Sequence, residues 1–295
     1  MNTIPHWFDS NRVIKVDNEH VDWVRVIPFF ALHLAVLAVF WVGVSPIAVV
    51  VAIASYLVRI FAITAFFHRY FAHKAFDAGR TVQFIFAILG ASATQRGPLW
   101  WAAHHRAHHR ASDGDADPHN ARRGLWWSHI GWFLSNSNFR TRTELVRDWA
   151  RFPELAWLDR FDVAVPLLFG ASMYLLGEAL STQNTNGWQM VVWGYVISTV
   201  FLTHVTLCVN SFCHRFGKRR FSTRDTSRNN WILALLTLGE GWHNNHHRFA
   251  GSARQGFYWW QLDITYYLLI VLSLFGVVKD LRAVPLKVLD EGRLR

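Results

Sequence analysis

Apolar residues in this chain come in long runs rather than in narrow stripes. Val26 to Val44 is about nineteen residues with only His33 as a polar interruption, enough to cross a hydrocarbon core of about 30 Å. Gly43 to Pro46 reads as a short turn. Pro46 to Phe67 is a second run of similar length, with Arg59 in its interior. Two such runs make a hairpin whose ends, near Arg25 and His68, share one side of a membrane. Val163 to Leu180 and Trp188 to Val209 repeat the arrangement around the polar connector STQNTNG. The pattern predicts an all-α integral membrane fold of one domain, residues 1–295. Four transmembrane helices at about 26–44, 46–67, 163–180 and 188–209 form two hairpins, and residues 68–162 and 210–295 build a helical cap on a single side.

The remaining segments fill in the cap. Val82 to Ala93 is too short to span and reads as a buried or interfacial helix. The Gly97-Pro98 pair breaks it and starts a new helix in WWAAHHRAHH. Asp113 to Gly124 is rich in Gly, Asp, Asn and Pro and reads as a loop. Arg140 to Arg160 mixes charge with Leu, Val, Trp and Phe, which suits one amphipathic helix on the membrane surface. Lys218 to Arg228 is a basic loop, and Trp231 to Leu238 a short apolar helix. Ile264 to Val278, bracketed by Asp263 and Lys279, falls short of a span and is expected to be a cap helix. Residues 1–24 are polar and lack an apolar signal region, so the first run is expected to remain as an anchor.

Composition agrees with the pattern. Hydrophobic residues make up 52% and charged residues 17%, against about a quarter charged in ordinary soluble domains. The formal charge of +10 has no accompanying nucleic-acid recognition motif. Its distribution explains it better: three Lys and Arg lie in residues 1–25, thirteen in 68–161, thirteen in 210–295, and none in the two outer loops. Such asymmetry places both termini and the cap in the cytoplasm. There the charge meets anionic lipid headgroups or an acidic electron carrier. Arg59 is the one exception, and snorkelling toward the cytoplasmic side is its simplest reading. Cys208 and Cys213 are too few for a disulfide framework and fit a reduced setting. Trp100, Trp101, Trp126, Trp127, Trp259 and Trp260 read as interfacial aromatic belts.

The chemistry lies in the histidines. His105, His108 and His109 are spaced i, i+3, i+4, so on a helix their rings leave within an arc of roughly 100°. His243, His246 and His247 repeat that spacing in HNNHH, and His68 and His73 add a pair in HRYFAH. A histidine-rich loop or a solvated polar face accounts for one such motif, but not for three beside membrane-length runs. Neutral imidazoles from one face are metal-ligand geometry and suit iron, copper or zinc. Donor type alone leaves a zinc hydrolase open, whereas attack on an unactivated C–H bond needs a redox metal that activates dioxygen. His104 falls only about 40° from His108 on a helical wheel, so geometry does not exclude it as a ligand. His119, His129, His33 and His204 read as ordinary buried hydrogen-bonding groups. Asp117, Asn120, Arg122 and Arg123 are candidates to orient metal-bound rings or hold a substrate headgroup.

Taken in order, HRYFAH, HHRAHH, ADPHNARRG, SHIGW, NSFCH and GEGWHNNHH resemble the integral-membrane fatty-acyl desaturases, in particular the stearoyl-CoA (Δ9) branch and its bacterial relatives. The resemblance runs from about Arg25 to Asp280. It implies a multi-pass protein of the bacterial inner membrane that holds two iron ions and uses O2 as co-substrate. It implies the ligands His68, His73, His105, His108, His109, His214, His243, His246 and His247. His68, His73, His109 and His247 are expected at one iron, and His105, His108, His214, His243 and His246 at the other, with Asn210 reaching it through water. It further implies insertion of a cis double bond, at Δ9, into a long-chain acyl group carried on CoA or lipid.

No flavin, haem or nicotinamide fingerprint occurs in the chain, so a separate donor such as a ferredoxin or cytochrome b5, with its reductase, is required. Related oxidations, hydroxylation or decarboxylation to a terminal alkene, use the same kind of site, and a non-enzymatic membrane metal- or lipid-binding protein is the reading from another class. One departure bears on the carrier: Ser135 and Asn136 stand near the place where the stearoyl-CoA branch has a basic pair. Ala48, Ala52, Ala54 and Ser55 are candidates for the closed end of an acyl tunnel.

Overall fold

The computed structural model describes residues 5–10 and 19–293; part of the polar N-terminal stretch lies outside the described residues. The principal helices are α1 (Ile27–Val42), α2 (Pro46–Ala72), α3 (Arg80–Ala91), α4 (Pro98–Ala111), α5 (Pro153–Arg160), α6 (Ala164–Ala179), α7 (Gly187–His214), α8 (Trp231–Leu236), α9 (His243–Arg248), α10 (Ile264–Leu274) and α11 (Leu286–Arg293). A two-residue antiparallel pair, β1 (Asp77–Ala78) with β2 (Val278–Lys279), fastens the segment after α2 to the C-terminal part.

Local chemistry sets the helix ends. Gly43, at φ 66°, stops α1 in a conformation that glycine adopts at little cost. Ser45 then caps α2 by accepting from the Ala48 N–H at 3.2 Å, and Pro46 supplies the preset first turn. The same Ser45 hydroxyl donates to Gln189 Oε1 at 2.7 Å, tying the first turn to the start of α7.

Among the described residues two helices are long and apolar enough to cross a membrane: α2, with 27 residues and mean hydropathy 2.3, and α7, with 28 residues and 1.6. α5 and α6 meet at 76° and make a third if the bent pair is one span. α1 is shorter than its sequence run suggests. At 1.5 Å per residue it reaches roughly 24 Å, against about 30 Å of hydrocarbon. The 264–278 stretch forms only the 11-residue α10, as its length implies.

Three expectations change. The second run does not end at Phe67, because α2 continues through His68 to Ala72. The 140–160 stretch is not one helix. It breaks into single turns at Thr143–Leu145 and Arg147–Ala150 before α5 begins at Pro153. Phe152, held at φ −91° and ψ 111°, takes the extended conformation that the proline ring imposes on its predecessor. Finally, Arg59 does not snorkel; it is 1% exposed.

The Arg59 guanidinium reaches across the helix interfaces. It donates to the Ser55 carbonyl at 3.0 Å, the Ser92 carbonyl at 3.2 Å, Thr199 Oγ1 at 2.6 Å and Ser198 Oγ at 2.5 Å, and it lies over the Phe169 ring at 4.7 Å. Within a membrane-depth interior every polar group needs an internal partner. Arg59 therefore supplies the donors for two helix hydroxyls and two carbonyls at once. Replacing it with Met removes these four bonds, at about 1–3 kcal/mol for each group left buried and unsatisfied; the Ser198 hydroxyl keeps its own bond to the Gly194 carbonyl at 2.6 Å. Arg59→Met is expected to lower the thermal midpoint of the detergent-solubilised protein, and an unchanged midpoint would refute this role.

Candidate metal centre

Four helices deliver the histidines. At the end of α2 the winding widens. The His73 N–H donates to the His68 carbonyl at 3.2 Å, five residues back, and the Ala75 N–H to the Arg69 carbonyl at 2.8 Å, six back. In an ordinary α-helix residues five apart point about 140° from one another. The π-type turn over Ala62–Ala72 instead lets His68 and His73 face the same point, their ring centroids 5.0 Å apart.

α4 carries the second motif. Its start, Gly97, has no side chain to cap with, and a Cβ there would fall 2.4 Å from the Asp159 Cα. Asp159, reaching in from α5, provides the cap by accepting from the Trp100 N–H at 2.7 Å. α9 carries the third motif, and the last turn of α7 presents His214.

All nine histidines converge, in two groups. His68, His73, His105, His109 and His246 form the first, and His108, His214, His243 and His247 the second. Within each group one ring nitrogen per residue lies within 4.8 Å of all the others. The division differs from the one expected: His105 and His246 join the first group, and His247 the second. The rings meet through Nε2. His105 and His73 approach to 2.8 Å, His246 and His109 to 2.9 Å, His68 and His246 to 3.0 Å, His214 and His243 to 3.1 Å, and His108 and His247 to 3.3 Å.

Carboxylates behind the rings decide what these approaches mean. His108 Nδ1 is 2.9 Å from both Asp117 oxygens, and His247 Nδ1 is 2.8 Å from Asp225. His214 Nδ1 lies 3.2 Å from Asp113, and His68 Nδ1 is hydrogen-bonded to Glu240. An ionised carboxylate only accepts hydrogen bonds, so the Nδ1 facing it carries the hydrogen and donates, and Nε2 keeps a lone pair. Burial, and after it the crowding of like charges, drives His73, His105, His108, His109, His243 and His246 well below the usual imidazole range, so they are neutral. His108 and His247 thus aim lone pair at lone pair, a repulsive arrangement that becomes attractive with a cation between them. The donor set fits metal ions at both groups. Five imidazoles in one of them exceed the four ligands of a closed zinc site.

The supporting carboxylates are themselves held. Burial opposes ionisation of Asp225 and Asp113. Hydrogen bonds to His247 and Ser227 in one case, and to His214 and Thr226 in the other, outweigh it and keep both well below the usual carboxylate range. Arg69, 1% exposed, bridges Glu240 at 2.9 Å and Asp263 at 3.0 Å. Asp263 in turn caps α10 through the Tyr266 N–H at 3.0 Å. Of these, sequence reasoning named only Asp117. Asp113, Asp225 and Glu240 went unnoticed, although Glu240 sits inside GEGWHNNHH and a metal-bound imidazole calls for such a partner.

Other candidates separate cleanly. His104 stays outside both groups, with Nδ1 donating to the Trp100 carbonyl at 2.9 Å. His119 is stacked on His108 at 4.1 Å and makes a small group with it and Asp117, on the Nδ1 side of the ring. His33, His204 and His129 satisfy one another in a chain: His33 Nε2 to His204 Nε2 at 3.0 Å, and His204 Nδ1 to His129 Nε2 at 3.0 Å. Asn120 shapes its own loop by accepting from the Arg122 N–H at 2.9 Å. Arg122 is exposed, and Arg123 pairs with Glu19 at 2.6 Å over the Trp127 ring, so neither faces the centre. Trp100 is buried, whereas Trp126, Trp259 and Trp260 are exposed.

A cavity of about 30 Å³ lies beside both groups, lined by His68, His105, His243 and Asn210 and, on its apolar side, by Ile60, Ile63 and Val209. Ala48, Ala52, Ala54 and Ser55 do not line it. They lie nearer the other end of α2, and Ala48 and Ala52 are buried in helix packing.

Residues 41–271 match the fatty acid desaturase family. The chain is 35% identical, over 89% of its length and 94% of the relative's, to a sn-1 stearoyl-lipid 9-desaturase of Anabaena variabilis. It is 37% identical to a chloroplastic palmitoyl-monogalactosyldiacylglycerol delta-7 desaturase of Arabidopsis thaliana, covering 89% of this chain and 69% of that one. To an acyl-CoA 5-desaturase of Anemone leveillei it is 34% identical, with 93% and 87% covered. Two buried sets of imidazoles, backed by carboxylates and placed beside a cavity with an apolar side, are thus the centre of a chain that belongs to the fatty acid desaturase family.

Proposed function

We propose that this protein is a di-iron desaturase that places a cis double bond at Δ9 of a saturated long-chain acyl group. The observation that carries the reading is the convergence of Nε2 atoms in two groups beside the cavity. His68, His73, His105, His109 and His246 hold one iron, and His108, His214, His243 and His247 the other, with Asn210 acting through water. Iron bound there supplies the activation of dioxygen that removal of two unactivated hydrogens requires. Overall, a –CH2–CH2– unit, O2, two electrons and two protons give –CH=CH– and two waters, so an external one-electron donor with its reductase is needed. The cavity walls fix which methylene pair lies against the centre, and that positioning is the chain's own contribution. Named relatives act on lipid-bound and on CoA-bound chains; the absence of a basic pair at Ser135 and Asn136 favours a lipid carrier. The decisive experiment is expression in a desaturase-deficient host with fatty-acid profiling and double-bond location. A hydroxylated or terminal-alkene product would overturn the assignment.

For topology we propose four membrane passes, with α1 completing its short crossing through flanking residues, and with the cap in the cytoplasm of a bacterial inner membrane. Cysteine introduced at Ser181 is expected to react with an impermeant reagent from outside, and cysteine at Asp115 only after the membrane is opened. The opposite pattern would separate the histidines from a cytoplasmic electron donor.

Iron analysis of protein purified from membranes is expected to give about two ions per chain. His108→Ala and His246→Ala each remove activity and lower iron content, and Asp225→Asn lowers iron affinity about 10–100-fold, as loss of a partner to a ligand ring does. His104→Ala keeps both iron and activity. Full activity in the His108 or His246 variant would exclude those ligands.

Val209→Phe fills the cavity on its apolar side. It is expected to move preference from eighteen- toward sixteen-carbon chains while the double bond keeps its distance from the carboxyl carbon. A bond that shifts with chain length would mean that position is counted from the cavity floor.

A further inference from the structure

The cavity beside the histidines is not isolated. A second one, of about 50 Å³, shares Trp101, His105, Thr206 and Asn210 with it. A third, of about 230 Å³, shares Phe133 and Thr203 with the second. The walls of the third come from the start of α1, at Val26, Phe29 and His33, and from the start of α6, at Val163, Pro166 and Leu167. Leu167 is 60% exposed, so this cavity meets the outer surface between two helices that both begin at its level. Its lining is mostly apolar, apart from the charges gathered where the helices start.

Two carboxylates, Asp162 and Asp22, lie near the two arginines gathered there. Arg96 pairs with Asp162 at 2.5 Å and donates to the Phe139 carbonyl at 3.0 Å. Arg25 lies over the Phe139 ring at 4.3 Å, and among the described residues its guanidinium donates no hydrogen bond. Burial lowers it only to about 10, so it is a cation at neutral pH. One half-buried guanidinium with its fork of donors unused, at the rim of an apolar cavity leading toward the histidines, is chemistry suited to a phosphate oxygen.

We propose that the acyl chain reaches the histidines sideways from the bilayer while still esterified to a phosphoglyceride, its phosphodiester held by Arg25 and its chain threaded past Phe133 and Thr203. The proposal rests on the desaturase reading above and adds the doorway and the carrier. Phe133, partly buried between the second and third cavities, is the side chain that must swing to join them. A lipid carrier suits this route because a tethered headgroup can stay at the membrane surface while only its tail descends.

The test uses the full chain in nanodiscs containing a phosphatidylglycerol with a diazirine near the end of one acyl tail. Photolabelling needs no turnover. Label is expected on peptides carrying Phe133, Thr203 and Leu167, reduced about tenfold in Arg25→Gln, as loss of a charge-assisted hydrogen bond implies. Iron content equal to wild type shows that the variant is folded. With an electron donor added, Arg25→Gln is expected to raise KM for stearoyl phosphatidylglycerol with little change in kcat, and to leave stearoyl-CoA turnover untouched. Label confined to other surfaces, equal labelling in the variant, or equal effects on both substrates would overturn the lateral doorway. If wild type is labelled as expected but desaturates neither substrate, the doorway stands and the desaturase reading falls.

Discussion

Neutral imidazoles facing one another through their lone pairs are the constraint on which this molecule is built. Left in water, a cluster of nine histidines would spread apart or take up protons. Here burial removes the water, carboxylates fix the hydrogen on Nδ1 of His68, His108, His214 and His247, and the Nε2 atoms face inward. The residues around the two groups hold that arrangement. Asp225 is anchored by Ser227, and Asp113 by Thr226. Glu240 is held by an arginine that also grips the start of α10. The centre is therefore braced from several directions in the chain, by residues that touch no metal themselves.

The carboxylates are shared unequally. Three of the four histidines of the second group have one behind them, whereas in the first group His68 is the member so backed. An imidazole that donates to a carboxylate is a stronger electron donor. Metal ions held by the two groups would therefore meet different donor strengths despite the same ligand type.

Much of this was legible in the sequence because it depends on periodicity and residue type. The apolar runs marked α2 and α7, the Gly97-Pro98 pair marked the start of α4, and the i, i+3, i+4 spacings marked two faces of histidines. What escaped depends on contacts between distant segments. Arg59 looked like a lone charge because Ser198 and Thr199 are 139 and 140 residues away. The division of the nine rings was misread because the packing of α4 against α2 and α9, rather than motif order, decides which nitrogens meet. The 140–160 stretch had the composition of a helix, but it breaks at Val146, which sits at φ −132° and ψ 30°, and again before Pro153.

The wide turn at the end of α2 ties metal capture to chain geometry. Such a turn amounts to one residue too many in the helix, and an isolated peptide would expel it by rewinding. Rewinding would carry His73 roughly a third of a turn around the axis and out of reach of His105. Other contacts hold the turn open: Arg106 donates to the Phe71 and Ala72 carbonyls at 2.6 and 2.9 Å, Trp149 donates to the Phe71 carbonyl at 2.7 Å, and Arg69 is gripped by Glu240 and Asp263. The register of the first group is therefore set by the protein around α2, and a substitution at Arg106 or Trp149 would reach the histidines without touching one.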